Sequence, residues 1–256
     1  MMIIERQTRM KELLAAKGVS SLDTLVQELN VSASTVRRDI ESFEQLGLVS
    51  RSHGSVVWVG EKQSGVRPYA FVQRMSFQTE TKIQIAKAAR HLVAPGDTVL
   101  IDGGTTTYHF AEQLLGMSIQ LVTNSLPIAD LFLNDEQVEL ILAGGLMYPR
   151  YGVFLGPMAE TMLASIHTKT MFLSVAGVFG NQMYNQNQLL VEVERRMMQQ
   201  AQHVVLLIDS GKFGQQALVK LGSLDQIDTV VCDQALAAEH QQVIRDSGCE
   251  LILAGP

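Results

Sequence analysis

The run Val99-Leu-Ile-Asp-Gly-Gly-Thr-Thr-Thr-Tyr-His-Phe110 constrains this chain more than any other stretch. Val99, Leu100 and Ile101 form a short apolar strand-like run, and Asp102 closes it where a buried strand surfaces. Gly103 and Gly104 predict a tight turn through backbone conformations closed to bulkier residues. Thr105, Thr106 and Thr107 open a predicted helix, continued by Phe110, Ala111, Leu114 and Leu115 at helical spacing. Strand, glycine turn and hydroxyl-rich helix start aim free amide hydrogens and the positive helix end at one point, a setting that suits a phosphate. An ordinary strand-to-helix turn with a threonine cap has the same spacing. The Gly-Lys-Ser/Thr ending of a P-loop is missing, so a small phosphorylated ligand fits better than ATP.

Beyond this turn, strand-like and helical runs alternate. Strands are expected over 119–122, 138–143, 170–178, 203–208, 229–232 and 250–253, and helices over 126–133, 157–166, 190–200 and 236–246. Apolar strands that do not alternate argue for a mostly parallel sheet covered on both faces, an α/β domain. Ligands in such sheets sit at the carboxyl ends of the strands. Five of those ends are polar or glycine-rich: 102–106, Thr123-Asn-Ser125, Gly144-Gly145, Ala176-Gly177 and Asp209 to Lys212. They are expected to converge on one crevice.

The first sixty residues read differently. Ile3, Met10, Leu13 and Leu14 mark one helix face, ended by Lys17-Gly18. Ser20-Ser-Leu-Asp23 has the form of a helix start, and Leu22, Leu25, Val26 and Leu29 give the stripe of a second helix. After the break Asn30-Val-Ser32, a third helix is expected from Ala33 to Gln45, with Val36, Ile40, Phe43 and Leu46 buried and Gly47 as its stop. Its opposite face carries Ser34, Arg37, Arg38 and Glu41. With hydroxyls and arginines at the N-terminal end, as in the recognition helix of a helix-turn-helix, Ser34, Thr35, Arg37 and Arg38 are expected to face the major groove. Asp39 lies toward the packed side and reads as a structural partner for an arginine. Residues 48–59 read as two strands joined at His53-Gly54, a β wing whose Arg51 and His53 sit where they reach the DNA backbone.

Residues 1–60 therefore form a winged helix-turn-helix DNA-binding domain, 61–78 a linker interrupted by Gly65 and Arg67-Pro68, and 79–256 the α/β domain. The net charge of −6 argues weakly against nucleic acid in bulk, but 1–60 balance seven Lys/Arg against seven Asp/Glu, so the acidity lies beyond Gly60. No apolar run approaches the ~20 residues of a membrane helix, and the N-terminus does not read as a signal peptide. Cys232 and Cys249, in apolar runs, fit buried thiols of a reducing cytoplasm, and the six histidines are scattered, so neither a metal site nor a cofactor is expected.

The motifs together resemble the DeoR-type bacterial repressors of sugar metabolism over nearly the whole length. The head carries Ser32-x-x-Thr-Val-Arg-Arg-Asp-Ile40, Gly47, Arg51 and His53-Gly54, with Ser55 where the family has a second glycine. The body matches at Arg74, Lys82, Ile85-Ala86, Asp102-x-Gly-Thr-Thr106, Thr123-Asn-Ser125, Gly144-Gly145 and Asp209-x-x-Lys-Phe-Gly214. The resemblance implies a DNA-binding regulator, usually a repressor released by a phosphorylated sugar. By that resemblance Lys212 faces the turn 102–107, and the effector residues are Asp102, Gly103, Gly104, Thr105, Thr106, Thr107, Asn124 and Lys212. An activator of the same architecture begins with the same DNA contact. The sensor domain in turn is similar to ribose-5-phosphate isomerase, which makes a sugar-phosphate isomerase the rival reading. Isomerisation needs a carboxylate or similar base beside a carbonyl, yet 174–190 contain no Asp or Glu, and Glu192 and Glu194 read as solvated helix residues. No catalytic residue is assigned. The expected partners are an operator in double-stranded DNA and a second copy or more of the chain. Two half-sites one helical turn apart call for a homodimer, and the resemblance extends this to a homotetramer.

Overall fold

The computed structural model describes residues 3–17, 19–45, 48–52, 55–58, 71–75 and 77–255. They divide into two compact units, Met1–Val66 and Arg67–Pro256.

The first unit runs α1 (Ile3–Lys17), β1 (Val19–Ser21), α2 (Leu22–Leu29), α3 (Ala33–Gln45), β2 (Val49–Ser52) and β3 (Ser55–Trp58). Met10, Leu14, Leu25, Leu29, Val36, Ile40, Phe43, Leu48, Val49 and Val56 form its core. Asn30 ends α2 in the left-handed region at φ 51°, ψ 49°, which asparagine tolerates better than most residues and which makes the turn into α3 tight. The strands form an antiparallel sheet in the order β1-β3-β2. The sequence pattern predicts a helix start at Ser20 and no strand there; residues 19–21 form β1 and Ser21 is the cap, accepting a hydrogen bond from the Thr24 amide at 3.1 Å. Three residues held only by pairing with β3 leave no periodicity to read.

The second unit opens with α4 (Phe71–Met75) and α5 (Thr79–Ala89), then β4 (Thr98–Ile101), α6 (Thr105–Glu112), β5 (Ile119–Thr123), α7 (Leu126–Leu131) and β6 (Val138–Leu142). A hairpin of β7 (Leu146–Tyr148) and β8 (Val153–Leu155) precedes α8 (Pro157–Ala164) and β9 (Thr168–Leu173). Next come β10 (Gly177–Phe179), β11 (Gln182–Asn185), α9 (Gln188–Met198) and β12 (Ala201–Leu207). The chain closes with β13 (Val219–Ser223), β14 (Thr229–Asp233), α10 (Ala238–Asp246) and β15 (Glu250–Ala254).

Seven strands make one parallel sheet in the order β15-β14-β12-β9-β4-β5-β6. Successive residues of the central strands enter opposite cores. Val99, Ile101 and Phe172 pack with Ile85, Phe110 and Ile128 from α5, α6 and α7. Leu100, Met171 and Leu173 pack with Leu163, Val191 and Ile244 from α8, α9 and α10. The α/β expectation therefore holds, with both faces covered. The strand expected over 170–178 is two elements: β9 ends at Leu173, and β10 joins β11 and β13 in a small antiparallel sheet. Residues 71–75, within the expected linker, are helical, and the Phe71 amide donates to Arg150 O at 2.8 Å. Cys232 and Cys249 are buried free thiols, and burial pushes Cys249 up to about 11. No helix of the described residues is long and apolar enough to cross a membrane.

Candidate functional site

In the first unit, α3 presents a polar face because its apolar residues fall on the other side. Val36, Asp39, Ile40 and Phe43 are buried, whereas Ser34, Arg37 and Arg38 are exposed and Thr35 is half-buried. Ser32 organises the helix start: its hydroxyl accepts from the Thr35 amide at 3.3 Å and lies 2.9 and 2.8 Å from the Ser34 and Thr35 hydroxyls. Asp39, 3% exposed, accepts from Arg6 Nε and Nη2 at 2.6 and 3.1 Å and from Gln7 Nε2 at 3.0 Å. That bond holds the Arg6 guanidinium above its ordinary pKa. The expected arginine partner of Asp39 is thus Arg6, and the pair ties α1 to the helix that carries Arg37 and Arg38. The backbone of Arg51 lies in β2, but its side chain and all of His53 fall outside the described residues.

In the second unit, β4 delivers Asp102 to the carboxyl edge of the sheet, with β5 and β9 as its neighbours. Asp102, Thr105, Thr106, Thr107 and Asn124 are all buried. The hairpin of β7 and β8 packs over the end of β5. Phe154 N donates to Asn124 O at 2.8 Å, Asn124 Nδ2 donates to Phe154 O at 3.2 Å, and Val153 bridges to Ser125.

The glycines of the turn are needed for a reason other than the expected one. Gly104 has φ −112° and Gly103 is not in the left-handed region, so neither backbone demands glycine. Space does: a Cβ on Gly103 would lie 2.1 Å from Val153 Cγ1, and one on Gly104 2.1 Å from Ser174 Oγ. The three threonines also differ. The Thr107 hydroxyl is engaged inside the turn, accepting from Gly104 N at 2.8 Å and donating to Asp102 O at 2.6 Å. The Thr106 hydroxyl, fully buried, has no partner. Asp102 Oδ1 and Asn124 Oδ1 are buried without partners as well. Burial pushes the Asp102 carboxyl up to about 6, against the pull of the Gly103 and Ser174 amides and the charge of Arg74.

Lys212 stands in a short turn after β12, 3.6 Å from Asp209 Oδ2 and about a quarter exposed. In the sheet β12 is separated from β4 by β9, two strand spacings or about 10 Å. Lys82, at the start of α5, donates to Arg74 O and Phe77 O, and burial together with the Lys212 charge lowers it to about 8.

Two site residues carry no role in the sequence reading. Glu194, read as solvated, is 1% exposed; Asn185 Nδ2 donates to its Oε1 at 2.6 Å, and its Oε2 has no partner. Burial and the Asp102 charge raise its pKa well above the carboxylate range. The signal was in the helix pattern, because Glu194 shares the stripe of Leu190, Val191 and Met197. Arg74, on α4, lies over the Tyr151 ring at 4.7 Å, and its Nε and Nη2 are buried without partners. Burial lowers its pKa, opposed by the nearby Tyr151, Asp102 and Glu194.

A helix-turn-helix unit followed by an α/β unit with unpartnered polar atoms at its strand ends defines a DNA-binding transcriptional regulator with a sensor domain. The chain belongs to the DeoR family: residues 6–62 match the DeoR-like helix-turn-helix domain, and 77–234 the DeoR C terminal sensor domain. Among curated relatives, it is 30% identical to the HTH-type transcriptional repressor CsqR of Escherichia coli, over 97% of this chain and 94% of the relative. It is 29% identical to the putative aga operon transcriptional repressor of E. coli O157:H7, over 98% and 94%. It is also 30% identical to the L-fucose operon activator of Haemophilus influenzae, over 88% and 90%. Solved structures with partial likeness include ribose 5-phosphate isomerase A from Methanocaldococcus jannaschii, 17% identical over 53% of this chain and 54% of that one, TM-score 0.39. Another is eIF2B delta from Chaetomium thermophilum, 13% identical over 79% and 64%, TM-score 0.44.

Proposed function

We propose that this regulator is a repressor released from its operator by a phosphorylated sugar bound at the carboxyl edge of the sensor sheet. The observation that carries the reading is a group of buried atoms without partners: Asp102 Oδ1 and Asn124 Oδ1 just past the adjacent strands β4 and β5, and Thr106 Oγ1 at the start of α6. A buried polar group without a partner costs about 1–3 kcal/mol, which a ligand offering partners recovers. The first amides of α6, at Thr105, Thr106 and Thr107, have no acceptor within the helix and favour an anion. Lys212 approaches from β12 to neutralise the phosphate, and the bare backbone of Gly103 and Gly104 keeps the turn close beneath it. Asp102 takes a sugar hydroxyl. Binding requires the β7–β8 hairpin to move.

On the DNA side, Ser34, Thr35, Arg37 and Arg38 enter the major groove, with Arg51 and His53 on the flanking backbone. A homodimer or homotetramer supplies two half-sites, in the cytoplasm. The sensor binds its ligand without turnover: the curated relatives above are named as regulators.

The test is a thermal-shift screen of phosphorylated sugars beside their unphosphorylated parents, followed by titration calorimetry of Lys212→Ala and Thr106→Val. Both variants should keep DNA binding and lose sensitivity to the effector, Lys212→Ala by more, since a charge-assisted bond is roughly twice as strong as a neutral one. Wild-type affinity in Lys212→Ala would put the phosphate elsewhere.

A further inference from the structure

The buried atoms without partners extend past the turn. Arg74 Nε and Nη2 are donors, Glu194 Oε2 and Asp102 Oδ1 belong to carboxyl groups, and Thr106 adds a hydroxyl. They gather at the ends of β4 and β9. Asn185 Nδ2 donates to Glu194 Oε1, and Asn185 Oδ1 accepts from the amide of Ala176, just beyond β9. Ser174, at the end of the same strand, abuts Gly104 next to Asp102. Arg74 enters from α4 over Tyr151, which stands in the loop of the β7–β8 hairpin. Each unpartnered atom is withheld from water, so the group is incomplete as it stands.

We propose that Arg74, Asp102 and Glu194 form a subsite for the neutral, hydroxyl-bearing end of the effector, with Arg74 as the residue that sets specificity. This rests on the reading of the crevice as the effector site. Charge selects the ligand. The Arg74 guanidinium already lies within the electrostatic influence of the Asp102 and Glu194 carboxyl groups, so a second anion such as a sugar acid meets no surplus positive charge, and an ammonium is opposed by Arg74. Neutral hydroxyls suit both halves of the subsite: each donates its proton to a carboxyl oxygen and accepts from the planar fork of Arg74. The phosphate end stays with α6 and Lys212. Arg74 also sits on the first described element after β3, and Lys82 fastens that element by donating to Arg74 O. Occupancy of the subsite is therefore felt on α4, inside the segment expected as the linker.

The full chain is titrated by calorimetry and thermal shift with inorganic phosphate, with the monophosphates of ribose, glucose, fructose and galactose, and with the four free sugars. Arg74→Lys keeps the charge but not the fork, and Arg74→Met keeps only the stem. Both should weaken the best sugar monophosphate at least tenfold while leaving the shift by inorganic phosphate unchanged; if Arg74→Met fails to fold, Arg74→Lys alone decides. Wild-type affinity for the sugar phosphate in Arg74→Lys overturns the subsite and leaves the phosphate reading intact. Binding of a free sugar, lost in Arg74→Lys, with none of the phosphates bound, upholds the subsite and overturns the phosphate reading. Failure of every sugar to bind the wild type overturns both.

Discussion

Replacing Gly103 with alanine tests the packing of the β7–β8 hairpin on the turn after β4. The new methyl would sit 2.1 Å from Val153 Cγ1 and 3.3 Å from Ser125 Cβ, where carbon atoms in contact stand about 3.5–4 Å apart. A displacement of more than about 1 Å is needed, and Val153 cannot rotate out of the way easily: it is fully buried and β-branched. Overpacking of this kind costs about 1–3 kcal/mol, and the size of the overlap puts Gly103→Ala near 3. For a unit of this length that lowers Tm by about 6–12 °C. The assay is a double-mutant cycle with Val153→Ala, followed by thermal and urea unfolding of the full chain. Val153→Ala alone leaves a cavity and destabilises. Adding Gly103→Ala to it fills that cavity, so the second substitution should cost little or stabilise. If Gly103→Ala costs the same with Val153 or Ala at position 153, the steric account of this glycine is wrong.

Three other outcomes follow from the same geometry. Asp39→Ala should destabilise the chain by about 2 kcal/mol or more and weaken DNA binding, because Arg6 and Gln7 lose their shared acceptor between α1 and α3; urea unfolding and anisotropy measure the two effects. Arg38→Ala should lower affinity for DNA selected from a random pool about 10- to 100-fold at fixed salt, with effector binding unchanged, and unaltered anisotropy would remove Arg38 from the interface. Asp102 carries a pKa raised from its ordinary 3.8 to about 6, so the folded state holds its proton more tightly than the unfolded one. Its contribution is fully present below about 4 and is lost as pH rises through about 6, up to about 3 kcal/mol. Asp102→Asn should therefore flatten the fall in stability between pH 4 and 7, and an unchanged slope in urea midpoints would reject the buried carboxyl as its source.

Local pattern determined much of this protein. The bounds of α3, Ala33 to Gln45, were legible because an apolar stripe, a serine at the start and the break at Asn30 are all properties of neighbouring residues. The turn from β4 into α6 was legible for the same reason, as was the partnership of Asp39 with an arginine, since its place in the helix repeat points it inward. Tertiary structure decided what distant segments do to one another. β1, β7 and β8 are three-residue strands that exist through pairing, which no window along the chain records. Gly103 and Gly104 looked like conformational glycines, but Val153 and Ser174 are what forbid a side chain there. Thr106 and Thr107 are neighbours of the same type, yet only the folded turn engages one hydroxyl and leaves the other open. Glu194 and Arg74, far from Asp102 in sequence, come under its charge only because the fold brings α9 and α4 near the end of β4. Burial then gives those charges their character: a carboxylate in water is ordinary, and the same group beneath a helix is costly until something binds it.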